Sequence, residues 1–327
     1  MELRAANAAD YLKGRGIELA APRISELGGG VSNTVLLVES GARRFVLKQA
    51  LGRLRVEQEW LADRERIFRE SAALRKLSRR LPAGSLPEVL FEDHENVAFA
   101  MSAAPASWAC WKALLLRGEV RVETAEQVGV LLARMASATW RQADWEREFG
   151  DQAVFDQLRI DPYYRAAARR HPDLEPLAAR LIAESAARRV CLAHGDWSPK
   201  NFLVDGARVM AIDFEVVHFG DPSFDTAFML NHFLLKSFYR PQWAGLYAEA
   251  AAGFWRAFVS GVPGEDWIEP ATLQHLGWLL LARVDGKSPA EYIRSAELQS
   301  QVRRFARDLI LAPPGSVREV FSRYGST

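Results

Sequence analysis

Lysine is scarce in this chain: only seven of its 42 basic residues are lysines. A lysine inside an apolar strand is therefore not compositional noise, and Lys48, in Phe45-Val46-Leu47-Lys48, is such a residue. Cysteine is almost absent. Cys110 and Cys191 lie far apart without CxxC or Cys/His spacing, which excludes a disulfide framework and a cysteine zinc site, and both read as small core residues. Net charge is also nearly absent, with 42 basic against 41 acidic residues for a formal +1, so no general attraction to nucleic acid or to an anionic membrane follows. No run approaches the roughly 18 to 20 apolar residues that a spanning helix needs. Glu2, Arg4, Asp10 and Lys13 interrupt the first twenty residues, which leaves no signal-peptide apolar region and makes a cytoplasmic protein the expectation. There is no internal repeat and no low-complexity tract.

What is present is an ordinary globular composition, 49% hydrophobic and 25% charged, on a chain of 327 residues. That length suits two lobes of about 100 and 200 residues better than one core. Ala5 to Gly14 reads as a short helix. Pro22 to Leu27, Val31 to Glu39 and Arg44 to Gln49 read as strands separated by the glycine turn Gly28-Gly29-Gly30 and by Ser40-Gly41. Glu57 to Arg80 carries one amphipathic helical stripe, and strands follow at Glu88 to Phe91 and Val97 to Met101 around the polar turn Glu92 to Asn96. Five strands and a long helix make a small α+β lobe over 1–101. Ser102-Ala103-Ala104-Pro105 is the expected hinge (102–105), and 106–327 reads as a second lobe. There the period is helical over Trp108 to Arg117, Val122 to Arg141, Leu174 to Arg189, Ser223 to Phe238, Gln242 to Val259, Ala271 to Val284 and Ala290 to Leu311. A strand-like island interrupts it at Cys191 to Ala193, Phe202 to Val204 and Val209 to Phe214. The fold class expected is α+β, two-lobed, with the cleft between lobes as the default site.

The strongest chemical signal is His194-Gly195-Asp196-Trp197-Ser198-Pro199-Lys200-Asn201, followed after a hairpin by Ala211-Ile212-Asp213-Phe214-Glu215. Asp196, Asn201 and Asp213 stand at the ends of short apolar strands joined by tight turns. Converged on one spot, their oxygens suit a hard cation with phosphate ligands. Upstream, Gly28-Gly29-Gly30-Val31-Ser32-Asn33 lets backbone N–H groups approach phosphates, with Ser32 and Asn33 as added donors. It lacks the GK[ST] of a Walker loop.

The H-x-D-x-x-x-x-N run with a second Asp resembles the catalytic loop and metal-binding Asp of kinases. With Gly195 in the middle it is most similar to the aminoglycoside phosphotransferase, choline kinase and methylthioribose kinase superfamily, of protein-kinase-like fold. That resemblance implies transfer of the γ-phosphoryl group of ATP to a hydroxyl of a small molecule. It implies that Asp196 orients the acceptor hydroxyl and takes its proton, and that Asn201 and Asp213 hold Mg2+. It further implies that Lys48 meets the α- and β-phosphates beside a helix carboxylate. Glu70 is the choice, with Glu59 and Glu65 as competitors. Gly29, Gly30, Ser32 and Asn33 would cover the phosphates, and backbone near Met101 would meet the purine. Asp225 would brace the catalytic loop, with Asp221 capping the same helix before Pro222.

Gly-Gly-Val-Ser-Asn, Asp213-Phe214-Glu215 and Leu281-Ala282-Arg283-Val284-Asp285-Gly286 look most similar to the methylthioribose kinase branch. That branch has paired arginines near the last segment. Here Ala282 replaces one, leaving Arg283 and Glu215 as substrate candidates, and the loop departs from the branch over Trp197 to Asn201. A polycationic aminoglycoside would call for an acidic groove, which the neutral balance does not suggest. A choline cage would use aromatics, but Trp108, Trp111, Trp140, Trp255 and Trp278 fit helix packing. The acceptor stays open. A nucleotide-binding protein without transfer activity is the alternative, and a protein kinase is disfavoured by Gly195 and by the absence of Ala-Pro-Glu after Asp213.

Overall fold

The computed structural model describes residues 1–28, 33–51 and 64–324, and its chain contacts divide it into two compact units. The first comprises 1–107 together with 212–215, and the second comprises 108–211 and 216–327. No helix among the described residues is long and apolar enough to cross a membrane.

In the first unit, α1 (Ala8–Gly14) precedes β1 (Arg23–Glu26), β2 (Asn33–Ser40) and β3 (Arg43–Ala50). Then come α2 (Arg66–Leu77), β4 (Val89–Asp93) and β5 (Ala98–Ser102). The sheet is antiparallel throughout, in the order β1-β2-β3-β5-β4, so β3 is its central strand. Side chains alternate across β3. Phe45 and Leu47 join Leu36, Val38, Ala98 and Ala100 in a core closed by Leu3, Tyr11 and Leu12. On the same parity, Gln49 ties down the N-terminal segment, accepting from Leu3 N at 2.7 Å and donating to Met1 O at 2.8 Å. Lys48 therefore stands on the other face, buried, with Val35 and Phe99 as cross-strand neighbours. The helix expected over Glu57 to Arg80 runs from Arg66 to Leu77 among the described residues, with Arg64 and Glu65 a turn before it; 57–63 lies outside them.

In the second unit, β6 (Ala109–Cys110) leads into α3 (Trp111–Leu116), and α4 (Val122–Thr139) and α5 (Ala143–Phe149) follow. Next, α6 (Ala153–Phe155) continues through a wide π-type segment, Asp156–Arg165, into α7 (Ala166–Arg170), and then comes α8 (Glu175–Ala187). Pro162 within that segment has no N–H to give, and the widened turns accommodate it without ending the helix. Short strands β7 (Cys191–Ala193), β8 (Phe202–Asp205), β9 (Arg208–Ala211) and β10 (His218–Gly220) form two small sheets, β10-β7 and β6-β8-β9. The unit closes with α9 (Pro222–Tyr239), α10 (Ala244–Val259), α11 (Ile268–Asp285), α12 (Ala296–Leu311) and α13 (Val317–Tyr324). α4 packs on α10, and α11 packs on α9 and α12.

Several expectations need correction. The helix expected from Trp108 starts at Trp111, because Ala109 and Cys110 pair with Val204 and Leu203 as a strand. For the same reason Cys110 is only half-buried, whereas Cys191 is in the core. The helix expected from Ala290 starts at Ala296, where Ser295 accepts from Leu298 N at 3.1 Å as its N-cap. The strand expected to reach Phe214 stops at Ala211, since Asp213 takes a left-handed φ of 68° that ends any ladder.

Candidate active site

In the first unit, Lys48 Nζ lies 2.7 Å from Glu70 Oε2 and 2.6 Å from Asp213 Oδ1. Glu70 falls on the buried stripe Ile67, Glu70, Ala73, Leu74, Leu77 of α2, which aims it at the sheet; Glu65 is exposed, and Glu59 lies outside the described residues. Glu70 also accepts from Phe214 N at 3.3 Å, so one carboxylate holds both the lysine and the segment carrying Asp213. Glu215 Oε2 accepts from Asn33 Nδ2 at 2.8 Å and lies 3.2 Å from Arg66 Nε. Among the described residues the cluster sets three carboxylates, Glu70, Asp213 and Glu215, against two cations, Lys48 and Arg66. Burial alone would pull the Lys48 ammonium down, but Asp213 and Glu70 outweigh it and hold the ammonium above its ordinary value. Burial pushes Glu70 up, against Lys48 and with Asp213, as expected where carboxylates are in excess. Gly29, Gly30 and Ser32 lie outside the described residues. Met101 stands within β5, between Val46 and Val89, and its side chain is buried.

In the second unit, Asp196 is buried and its carboxylate is fully engaged. Ser198 Oγ donates to Oδ1 at 3.1 Å, while Arg159 Nη2 and Lys200 Nζ meet Oδ2 at 2.9 and 2.8 Å. Asn201 Nδ2 donates to Asp196 O at 2.9 Å, which assigns the nitrogen to the loop and leaves the amide oxygen, a hard donor, with no hydrogen bond among the described residues. Asp225, in the first turn of α9, accepts from His194 N at 2.6 Å and Gly195 N at 2.9 Å. Burial raises its carboxyl to about 7, opposed by those two N–H donors. Asp221 caps α9 by accepting from Ser223 N at 2.9 Å. Gly195 is required sterically: at φ 76°, a Cβ there would lie 2.8 Å from Val216 O. Arg283 is buried and donates to Tyr163 OH and Ser288, so it is no surface ion pair.

Sequence reasoning passed over Arg66, Arg159 and Lys200. Arg159 was hidden because Pro162 breaks the helical pattern around it. Lys200 was written in the motif itself, and its spacing of four from Asp196 was the available signal.

A buried lysine clamped by carboxylates and a braced Asp-x-x-x-x-Asn loop resemble the parts that kinases bring to bear on a phosphoryl group. The comparisons agree: a family model described as "Phosphotransferase enzyme family" (APH) matches residues 23–262, and the chain belongs to that family. It is 25% identical over 249 residues to a methylthioribose kinase of Escherichia coli O45:K1 (strain S88 / ExPEC), covering 68% of this chain and 59% of that one. It is 27% identical over 251 residues to methylthioribose kinase 2 of Oryza sativa subsp. japonica, covering 68% and 58%. The matches thus span under two thirds of those relatives. Among solved structures, the amicoumacin kinase hAmiN in complex with AMP-PNP, Ca2+ and Ami aligns with a TM-score of 0.60 at 14% identity, over 93% of this chain and 94% of that one. A choline/ethanolamine kinase family protein from Mesorhizobium loti gives 0.50 at 16%, over 98% and 93%. The fold is the two-lobed protein-kinase-like one, with a β-rich N-lobe and a mostly helical C-lobe.

Proposed function

We propose that this protein is an ATP-dependent small-molecule kinase acting in the cytoplasm, where its nucleotide is abundant. The observation that carries the reading is the buried Lys48 between Glu70 and Asp213 on the central strand. A lysine fixed in this way is a preorganised partner for phosphate oxygens. Asn33 and the glycine turn before it are the further phosphate contacts of the proposal, and the backbone near Met101 is its purine contact.

In the second unit Asp196 holds the acceptor hydroxyl. The hydroxyl oxygen bonds to the γ-phosphorus as the bond to the β,γ-bridging oxygen breaks, ADP leaves with that electron pair, and the hydroxyl proton passes to Asp196. Because Arg159 and Lys200 already share the Asp196 charge, its contribution is more orientation than basicity, which a loose phosphoryl transition state tolerates. Asp213 and Asn201 would hold Mg2+. A carboxylate and an amide oxygen are the hard oxygen donors that ion prefers. When bound it would neutralise charge on the phosphate oxygens.

The test is ADP release with a panel of sugars, amino alcohols and aminoglycosides. Asp196→Ala is expected to lower turnover by about 10²- to 10⁴-fold. Equal rates in the two proteins would remove Asp196 from the mechanism. Chelation of divalent cations should abolish turnover and added Mg2+ restore it. ATP binding without product from any acceptor would favour a nucleotide-binding role instead.

A further inference from the structure

α9 and α11 bury a second set of polar groups that the transfer step does not use. Lys236 is 0% exposed, and among the described residues its ammonium meets His232 O at 3.3 Å and the face of the Tyr292 ring at 5.7 Å. Arg283, 8% exposed, spends Nη1 on Tyr163 OH, Ser288 O and Ser288 Oγ, while its Nε meets no acceptor among the described residues. The Tyr292 hydroxyl, His232 Nδ1 and both amide atoms of Asn231 are likewise buried with no hydrogen-bond partner among the described residues. Buried polar groups are normally satisfied, so a concentration of spare donors needs a reason.

The charges make the same point. Lys112 is paired with Glu291, and Arg159 and Lys200 with Asp196. Neither Lys236 nor Arg283 forms an ion pair with a carboxylate among the described residues. Burial, and then Lys236, Arg283, Lys112 and Lys200, hold the His232 imidazole well below its ordinary value, so four cations bear on one neutral ring. This region is joined to the transfer site by packed aromatics. Arg159, on Asp196, lies 6.0 Å from the Tyr163 ring centre, the Tyr163 hydroxyl meets Arg283, and Phe228 packs on both Tyr163 and His232.

We infer that the acceptor carries an anionic oxygen group, a carboxylate or a phosphate, seated at Lys236 and Arg283, with Tyr163 and Arg159 standing between that seat and Asp196. The inference rests on the kinase reading and names its substrate class. Two buried cations with no ion pair of their own among the described residues are poor as structure but complete once an anion supplies the acceptors. The Tyr292 ring lies against Lys236, and its hydroxyl is one more group the same ligand would satisfy. Polycationic acceptors would meet repulsion here.

Three measurements on the full chain test this. ADP release is compared for a neutral pentose, the matching aldonic acid and the pentose 5-phosphate. At least one anionic form should exceed the neutral sugar by 10-fold or more in kcat/KM, and which one does identifies the group. Equal or better use of the neutral sugar overturns the inference while leaving the kinase reading intact. In Lys236→Met and Arg283→Gln, KM for the preferred anion should rise about 10- to 100-fold with kcat little changed. Unchanged KM overturns it. Independently of turnover, inorganic phosphate or aldonate without nucleotide should raise the Tm of the wild type, against chloride at equal ionic strength, and not that of Lys236→Met. Absence of that shift also overturns it, whereas the shift without any phosphorylated product sinks only the kinase reading. Lys236→Met should melt above the ligand-free wild type; a lower Tm with unchanged KM would assign Lys236 to the scaffold.

Discussion

Two of the seven lysines are buried, and they sit in opposite company. Lys48, 2% exposed, has carboxylate oxygens at 2.7 and 2.6 Å; Lys236, 0% exposed, has a carbonyl at 3.3 Å and a tyrosine face. Burial pulls both ammoniums down, but the carboxylates reverse the direction at Lys48, while at Lys236 Lys112 and Arg283 outweigh Glu291 and leave it at about 7. Burial alone therefore does not decide what a lysine is for. The first is compensated within its own unit, and the second is left for something else to compensate.

The sharpest way to break this comparison is to remove each charge while keeping the shape. Lys48→Met strips the cation from Glu70 and Asp213 and is expected to cost about 3–5 kcal/mol, because the fully buried Glu70 carboxylate loses its ammonium partner. Lys236→Met removes a charge that forms no ion pair among the described residues and that the nearby Glu291 does not outweigh, and should change stability in the opposite direction, by about 1–4 kcal/mol at most. Urea unfolding of the two variants beside wild type gives both signs at once. Losses of similar size in both would dissolve the distinction.

A smaller effect concerns the backbone that carries Asp196. Gly195 (φ 76°) and Gly206 (φ 60°) share a left-handed conformation, but a Cβ at Gly195 meets Val216 O at 2.8 Å and one at Gly206 meets nothing within 4 Å. Gly206→Ala should cost about 1–2 kcal/mol, the left-handed penalty alone. Gly195→Ala adds about 1–3 kcal/mol of overpacking. It should also lower turnover, because the displaced loop carries Asp196. Thermal melts and ADP release on both variants separate conformation from crowding; equal Tm losses would show that Val216 simply moves.

The five strands of the first unit and the helices α4, α8, α9, α10 and α11 were legible from their apolar periods, whereas the strand order, with β5 beside β3, was not. Lys48 with Glu70 was legible for a related reason: a rare residue in an apolar strand and a glutamate on an apolar helical stripe. What stayed hidden depended on tertiary context. The left-handed Asp213 ends a strand that its neighbours would continue, and Ala109-Cys110 becomes a strand only because β8 offers an edge. Lys236 is the instructive omission. It sits in an apolar helix, Leu234-Leu235-Lys236-Ser237-Phe238, and the scarcity that singled out Lys48 applied equally to it. It was passed over because a lysine within a helix reads as a solvated face until burial is known.

The finest test of the contrast is pH. Lys236 sits at about 7 in the folded protein against about 10.4 in an unfolded chain. The groups bearing on it and on the adjacent ring are Lys112, Arg283, Lys200 and His232, with Glu291 and Cys110 on the opposing side. Below about pH 7 both states carry the proton, and the folded state bears the full cost of burying it. Between about 7 and 10 the unfolded chain binds more protons, so this group's contribution to stability rises with pH. The advantage of Lys236→Met over wild type should therefore be largest near pH 6.5 and shrink towards pH 9.5, a trend read from the difference in Tm, in which titrations common to both proteins cancel. A constant difference would mean that the ammonium keeps its proton throughout and that a counter-charge already balances it.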